Sequence, residues 1–284
     1  MKVFEIDLYK EFNLTREDGA KGYLTAYLLE NYQEVSINRK HPAMIVVGGG
    51  GYAMVSGREK ESVVIKYLEK GYNCFLLDYS VAPLRYPTAH IEASMAVAYV
   101  RKNADALGVR EDNVACVGFS AGGHLVGCLS TLFESDALNV LGENKKLVRP
   151  DASVMIYPVI TFNDKAHLGS FKNLCGDNEK LMKELSIETC VNEKSVPCYI
   201  AHNYGDTVVP VKNSLLLASA YEDAGVPFSL HIFEKGNHGM SVNDITCDHT
   251  DNLIARKNGA TRDYNSWVEE SIIWLEERGF EIKD

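Results

Sequence analysis

The feature that most constrains this chain is its alternation of short apolar runs with amphipathic segments. Ala43–Val47 (AMIVV), Asn73–Asp78 (NCFLLD), Asn113–Val117 (NVACV), Ser153–Tyr157 (SVMIY), Cys198–His202 (CYIAH) and Phe228–Phe233 read as strands. Ser56–Lys70, His90–Leu107, Ala121–Phe133, Val211–Ala224 and Asn265–Arg278 read as helices between and after them. Runs that are apolar throughout suit strands buried on both faces, so the rhythm implies an α/β chain whose mostly parallel sheet is covered by helices on both sides. Tyr23–Leu28 (YLTAYL) and the segment around Val35–Ile37 are expected to add antiparallel edge strands. That makes a central sheet of about eight strands.

The 284 residues suit one large domain spanning 1–284, and a hydrophobic fraction of 46% is enough for a sizeable core. No repeat or linker interrupts it. Residues 161–195 are polar and irregular and separate two strands. An insertion of that length is expected to be either a lid or substrate-binding element, or a solvated surface excursion.

The net charge of −10 disfavours nucleic acid and anionic membrane as partners. The opening MKVFEIDLYKEF mixes charge with apolar residues and lacks a signal-peptide core, and no run reaches the roughly 18 apolar residues of a membrane span. The seven cysteines are odd in number, scattered and without a CxxC. They are expected to be reduced thiols in a cytoplasmic protein. The oligomeric state is open, a homo-oligomer included.

Gly118-Phe119-Ser120-Ala121-Gly122 matches G-x-S-x-G. The pattern is short, but here it follows an apolar strand directly and opens a helix, which is the context of a nucleophile elbow. Flanking glycines leave room in a sharp, strained turn. The turn would set the Ser120 hydroxyl at the carboxyl end of the sheet, where α/β folds bind ligands.

A serine needs a base. Of the eight histidines, His238 lies in Lys235-Gly236-Asn237-His238-Gly239, a glycine-flanked loop just after the last strand, from which it can reach back to the serine. His124 is tied to the helix after Ser120 and reads as structural. His41 precedes Pro42 at a strand start, and His231 lies within a strand. His202 ends a strand and can approach the site. His90, His167 and His249 complete the eight. The acid is expected before the histidine in chain order. Asp206, in NYGDTVVP after Cys198–His202, fits, and its alternative role is a helix cap. Asp177 is a rival inside the insertion. Asp244 and Asp248 follow the histidine.

Gly48-Gly49-Gly50-Gly51-Tyr52 follows the first apolar run. The amides of Gly50 and Gly51, with that of Ala121, are candidates for an oxyanion hole. A dinucleotide fingerprint would need a glycine at position 53, which is Ala53, and a phosphate loop would need a following GK[ST].

Together these pieces resemble the acetyl-esterase and carbohydrate-esterase branch of the α/β-hydrolases, related to the hormone-sensitive-lipase-like esterases. The resemblance runs from about Ala43 to Leu275 through GGGGYAMVSGRE, GYNCFLLDYSVAP, VGFSAGGHL, HLGSFKNLCG, GDTVVP and HIFEKGNHG. It implies the α/β-hydrolase fold, Ser120, Asp206 and His238 as the triad, and Gly50, Gly51 and Ala121 at the oxyanion hole. It also implies hydrolysis of small acyl esters, typically acetyl groups on sugars or oligosaccharides, without a metal or organic cofactor. Lipase-like relatives usually carry histidine where this chain has Gly48, which points toward the carbohydrate-esterase side. Some members of the group are labelled xylanases, but no paired carboxylates in glycosidase context are visible here. The alternatives are an amide hydrolase on the same fold, of oligopeptidase or arylformamidase type, and a non-catalytic α/β-hydrolase that only binds a ligand.

Overall fold

The computed structural model describes residues 1–163, 165–247 and 263–284. Eight strands form one sheet: β1 (Lys2–Asp7), β2 (Tyr23–Leu28), β3 (His41–Val47), β4 (Asn73–Asp78), β5 (Val109–Phe119), β6 (Ala152–Ile156), β7 (Cys198–Asn203) and β8 (Phe228–Phe233). Their spatial order is β1-β2-β4-β3-β5-β6-β7-β8. β3 through β8 pair parallel, and β1 and β2 join antiparallel beyond β4.

The helices are α1 (Leu8–Glu11), α2 (Glu61–Glu69), α3 (Thr88–Lys102), α4 (Ala121–Thr131), α5 (Leu168–Cys175), α6 (Glu179–Glu184), α7 (Lys212–Asp223) and α8 (Ser266–Glu276). Alternate residues of each central strand feed opposite cores. Ala43, Ile45 and Val47 of β3 pack with residues of α3, α4 and α7, whereas Met44 and Val46 pack with Val63, Val64 and Tyr67 of α2 and Trp267 and Leu275 of α8. Two covered faces explain why the strands are apolar throughout.

Three expectations need correction. Val35–Ile37 forms no strand. Val35 and Ser36 donate to the Tyr32 carbonyl in a turn, and Val35 and Ile37 are exposed. The outer edge strand is instead β1, whose sequence KVFEID is exposed along most of its length and turns only Ile6 into the core. Ser56–Lys70 is not one helix. Lys60 (φ −109°, ψ −110°) separates a 3₁₀ turn at Gly57–Glu59 from α2. Finally, 161–195 is less irregular than its composition suggests: α5 and α6 lie in it, capped by the side chains of His167 and Asn178, and bury Phe171, Leu174 and Met182.

The sheet order reverses between β3 and β5. In open α/β sheets the crevice at such a reversal, beyond the carboxyl ends of the strands, is where ligands bind. The glycine run follows β3 and Ser120 follows β5, so the fold delivers both to that crevice.

Candidate active site

Ser120 sits between β5 and α4 with φ 52° and ψ −118°, left-handed backbone that a non-glycine residue seldom adopts. The strained turn is held by Ser120 N–H donating to the Ile156 carbonyl (3.0 Å), while the Ser120 carbonyl accepts from Val159 and His124. The two flanking glycines have no room for a side chain. A Cβ on Gly118 would lie 2.3 Å from the Gly122 carbonyl oxygen, and one on Gly122 would lie 2.3 Å from that of Val47. The helix therefore starts against the backbone of two strands.

His238, on the loop after β8, places Nε2 2.7 Å from Ser120 Oγ. Its Nδ1 lies 2.6 Å from Asp206 Oδ2. Asp206, on the loop after β7, uses its other oxygen to accept the Val208 and Val209 amides, both at 2.9 Å. Burial opposes ionisation of Asp206. The hydrogen bonds from His202 and His238, the charge of His238 and the Val209 amide outweigh it, and the carboxyl is held well below the usual range. The three side chains thus form one hydrogen-bonded row across the ends of β5, β7 and β8. A row of this kind can take the serine proton, hold the imidazole in the required tautomer and stabilise the imidazolium.

The rivals lie elsewhere. Asp177 is exposed in the turn between α5 and α6. Asp244 pairs with Lys66 at 2.8 Å. His202 lies behind Asp206, 3.4 Å from Oδ2, fixed by Ser214 and the Val209 carbonyl. His124 bonds Tyr52 and the Leu185 carbonyl, His41 bonds the Gly71 carbonyl and Asn31, and His231 pairs with Glu270. His90 is buried against Tyr86. Asp248 and His249 lie outside the described residues.

Ser120 and His238 open onto a cavity of about 520 Å³ lined also by Gly50, Gly51, Met54, Arg58, Glu59, His167, Asn173 and Val208. Gly50 and Gly51 have φ of +120° and +65°, and a Cβ on Gly50 would meet the Met54 carbonyl oxygen at 2.2 Å. Their N–H groups are paired with no acceptor among the described residues. Nor is that of Ala121, the first residue of α4, where the helix leaves its amide free.

Sequence reasoning missed what braces this loop. Glu59 is buried, with Oε2 accepting the Gly49 N–H (2.7 Å) and Oε1 accepting the Tyr157 hydroxyl (2.8 Å). Tyr157 in turn accepts the Ser241 amide (2.9 Å), and its ring packs edge-on to His238 with centroids 4.9 Å apart. Burial pushes the Glu59 carboxyl up, against the pull of Tyr157 and Gly49. One carboxyl group therefore ties the glycine loop to the histidine loop. On the other side, Asn173 of α5 donates to the Gly51 carbonyl (2.9 Å), and the Tyr52 hydroxyl meets His124 Nδ1 at 2.8 Å. Burial pushes His124 down to about 4, so the ring is neutral: Nε2 donates to Leu185 and Nδ1 accepts from Tyr52. In the sequence the only hint was a polar residue inside each of these segments.

A serine on a strained strand-to-helix turn, aligned with a histidine and an aspartate at the carboxyl ends of a mostly parallel eight-stranded sheet, defines an α/β-hydrolase. More particularly, the chain belongs to the BD-FAE family, whose model matches residues 29–221. It is 33% identical to endo-1,4-beta-xylanase B of Butyrivibrio fibrisolvens over 85% of this chain and 38% of that protein. It is 29% identical to an acetylxylan esterase of Xylanibacter ruminicola over 81% of this chain and 46% of the relative. The chain thus spans less than half the length of these curated relatives. The crystal structure of an acetyl ester-xyloside bifunctional hydrolase from Caldicellulosiruptor lactoaceticus aligns with TM-score 0.77 and 34% identity, covering 91% of this chain and 89% of that one.

Proposed function

We propose that the chain is a serine carboxylic ester hydrolase that removes short acyl groups, chiefly acetyl, from sugars or oligosaccharides. The observation that carries this reading is the hydrogen-bonded row from Asp206 through His238 to Ser120 at the wall of an open cavity. His238 takes the Ser120 proton as Oγ attacks the ester carbonyl. The developing oxyanion is met by the N–H groups of Gly50, Gly51 and Ala121, where one donor is worth about 3 kcal/mol in the transition state. His238 then gives its proton to the leaving alkoxide. Water, deprotonated by the same imidazole, releases the acid from Ser120.

The acetyl and sugar parts of the reading are supported by relatives named for acetylxylan and for acetyl ester-xyloside hydrolysis. Ester rather than glycoside cleavage is favoured by the cavity itself. Among its described lining residues Glu59 is the one carboxylate, with each oxygen already accepting a hydrogen bond, whereas glycoside hydrolysis uses a pair. In the same reading the chain acts as a single domain, 161–195 is a substrate-binding element rather than a surface excursion, and His167 and Asn173 are its contribution to the cavity. Seven unpaired cysteines, six of them buried, fit the reducing cytoplasm, and recovery of the enzyme mainly outside cells would contradict that placement. Among the described residues no helix is long and apolar enough to cross a membrane.

A fluorophosphonate probe tests the nucleophile. Stoichiometric labelling is expected, with the adduct on the peptide containing Ser120 and none on Ser120→Ala. Labelling of a different serine, or equal labelling of the variant, would refute the assignment.

A further inference from the structure

We infer that His167 is a specificity-determining residue, whose Nε2–H donates a hydrogen bond to a hydroxyl on the alcohol half of the ester. The inference rests on the esterase reading above and names the residue that recognises the hydroxylated alcohol part of its substrate.

His167 caps α5. Its Nδ1 accepts the Ser170 N–H at 3.3 Å and lies 2.8 Å from Ser170 Oγ. A ring whose Nδ1 accepts the cap bond carries its proton on Nε2. That N–H has no acceptor among the described residues, while the half-buried ring lines the cavity that Ser120 and His238 open onto. The ring also leans over the glycine loop: Cε1, next to Nε2, is 3.8 Å from where a Cβ on Gly51 would sit. Asn173, six residues further along α5, donates to the Gly51 carbonyl and so ties the helix to the loop.

The ring is a neutral donor. Burial holds its pKa down, and the nearby His238 and Asp206 act on it in opposite senses. A neutral N–H suits a neutral hydroxyl and needs no charged substrate. An acetyl group carries no hydroxyl, so on the esterase reading a hydroxyl that meets this N–H in the cavity of Ser120 and His238 belongs to the alcohol half. A polyol ester can offer a hydroxyl there, whereas an aryl or simple alkyl acetate leaves the donor unpaired. Sites built to pair a substrate hydroxyl discriminate strongly against analogues that lack it.

The test compares kcat/KM on a mono-O-acetylated methyl xylopyranoside and on 4-nitrophenyl acetate for the wild type, His167→Asn and His167→Ser. Both replacements keep a side-chain acceptor at the cap, so the fold is retained and thermal melting checks it. The expected result is a loss of about ten- to a hundredfold on the sugar acetate, mostly in KM, with less than about threefold on 4-nitrophenyl acetate. Equal losses on both substrates, or no loss on the sugar acetate, would overturn the role of His167. A wild type active on 4-nitrophenyl acetate alone would overturn it while leaving the esterase reading standing. A wild type inactive on both would overturn the two together.

Discussion

Replacing Asp206 by asparagine changes one atom and almost no volume, yet the geometry makes the consequence severe. Asp206 Oδ1 accepts two backbone amides, from Val208 and Val209, each at 2.9 Å. An asparagine that turned its NH₂ toward them would leave two N–H groups without acceptors, at roughly 1–3 kcal/mol each. The carbonyl oxygen therefore stays with the amides, and the NH₂ faces His238 Nδ1, 2.6 Å away in the native protein. Nδ1 must then accept, the ring proton moves to Nε2, and Nε2 presents a proton to Ser120 instead of a lone pair. Base catalysis is lost although every heavy atom stays in place. A wrong-tautomer triad loses about 10⁴ in kcat, equivalent to about 5 kcal/mol of transition-state stabilisation. The assay is kcat and KM for 4-nitrophenyl acetate at pH 7, with melting temperature as the control for folding. KM should change little. A folded Asp206→Asn protein retaining a tenth or more of the wild-type kcat would show that Asp206 does not set the tautomer of His238.

Other perturbations probe the scaffold. Gly122→Ala should lower stability by about 3 kcal/mol or more, because its Cβ would meet the rigid backbone oxygens of Val47 and Gly48 at 2.3 and 2.4 Å, and a wild-type melting temperature would contradict this. Glu59→Ala strands the Gly49 N–H and the Tyr157 hydroxyl. It should cost about 2–5 kcal/mol in urea unfolding and lower kcat in whatever fraction stays folded, whereas full activity at full stability would dismiss Glu59 as a brace. Burial pushes His124 from 6.5 down to about 4. Between those values the unfolded chain binds a proton that the folded chain does not, so this histidine's contribution to stability falls as pH drops from 6.5 toward 4. His124→Gln, which cannot titrate, should therefore show a melting temperature that falls less steeply over that range, and parallel curves for the two proteins would count against this.

The parts of the site legible in the sequence are those on loops directly after strands. Ser120, Asp206 and His238 each follow an apolar run within a few residues, and the sheet geometry gathers strand ends in one crevice. The glycine run was legible for the same reason. The braces were not. Glu59 lies within a stretch that reads as a continuous helix, and no glycine or proline at Lys60 marks the break there. Tyr157 reads as the end of a core strand, and its tie between Glu59 and Ser241 spans residues nearly two hundred positions apart in the chain. His167 and Asn173 sat in a segment whose polar composition concealed two short capped helices. At the sheet edge, β1 was invisible because exposed edge strands need no apolar face, while the apolar Val35 and Ile37 marked only a turn.

Whether Ser120 is the nucleophile of an esterase is decided by the initial rate of 4-nitrophenol release from 4-nitrophenyl acetate, measured side by side for the wild type and a folded Ser120→Ala protein. The wild type should show a robust rate that falls by about 10⁴ or more in the variant. Equal rates would take Ser120 out of the mechanism. Inactivity of both would contradict the esterase reading and favour an amide substrate or a protein that binds its ligand without cleaving it.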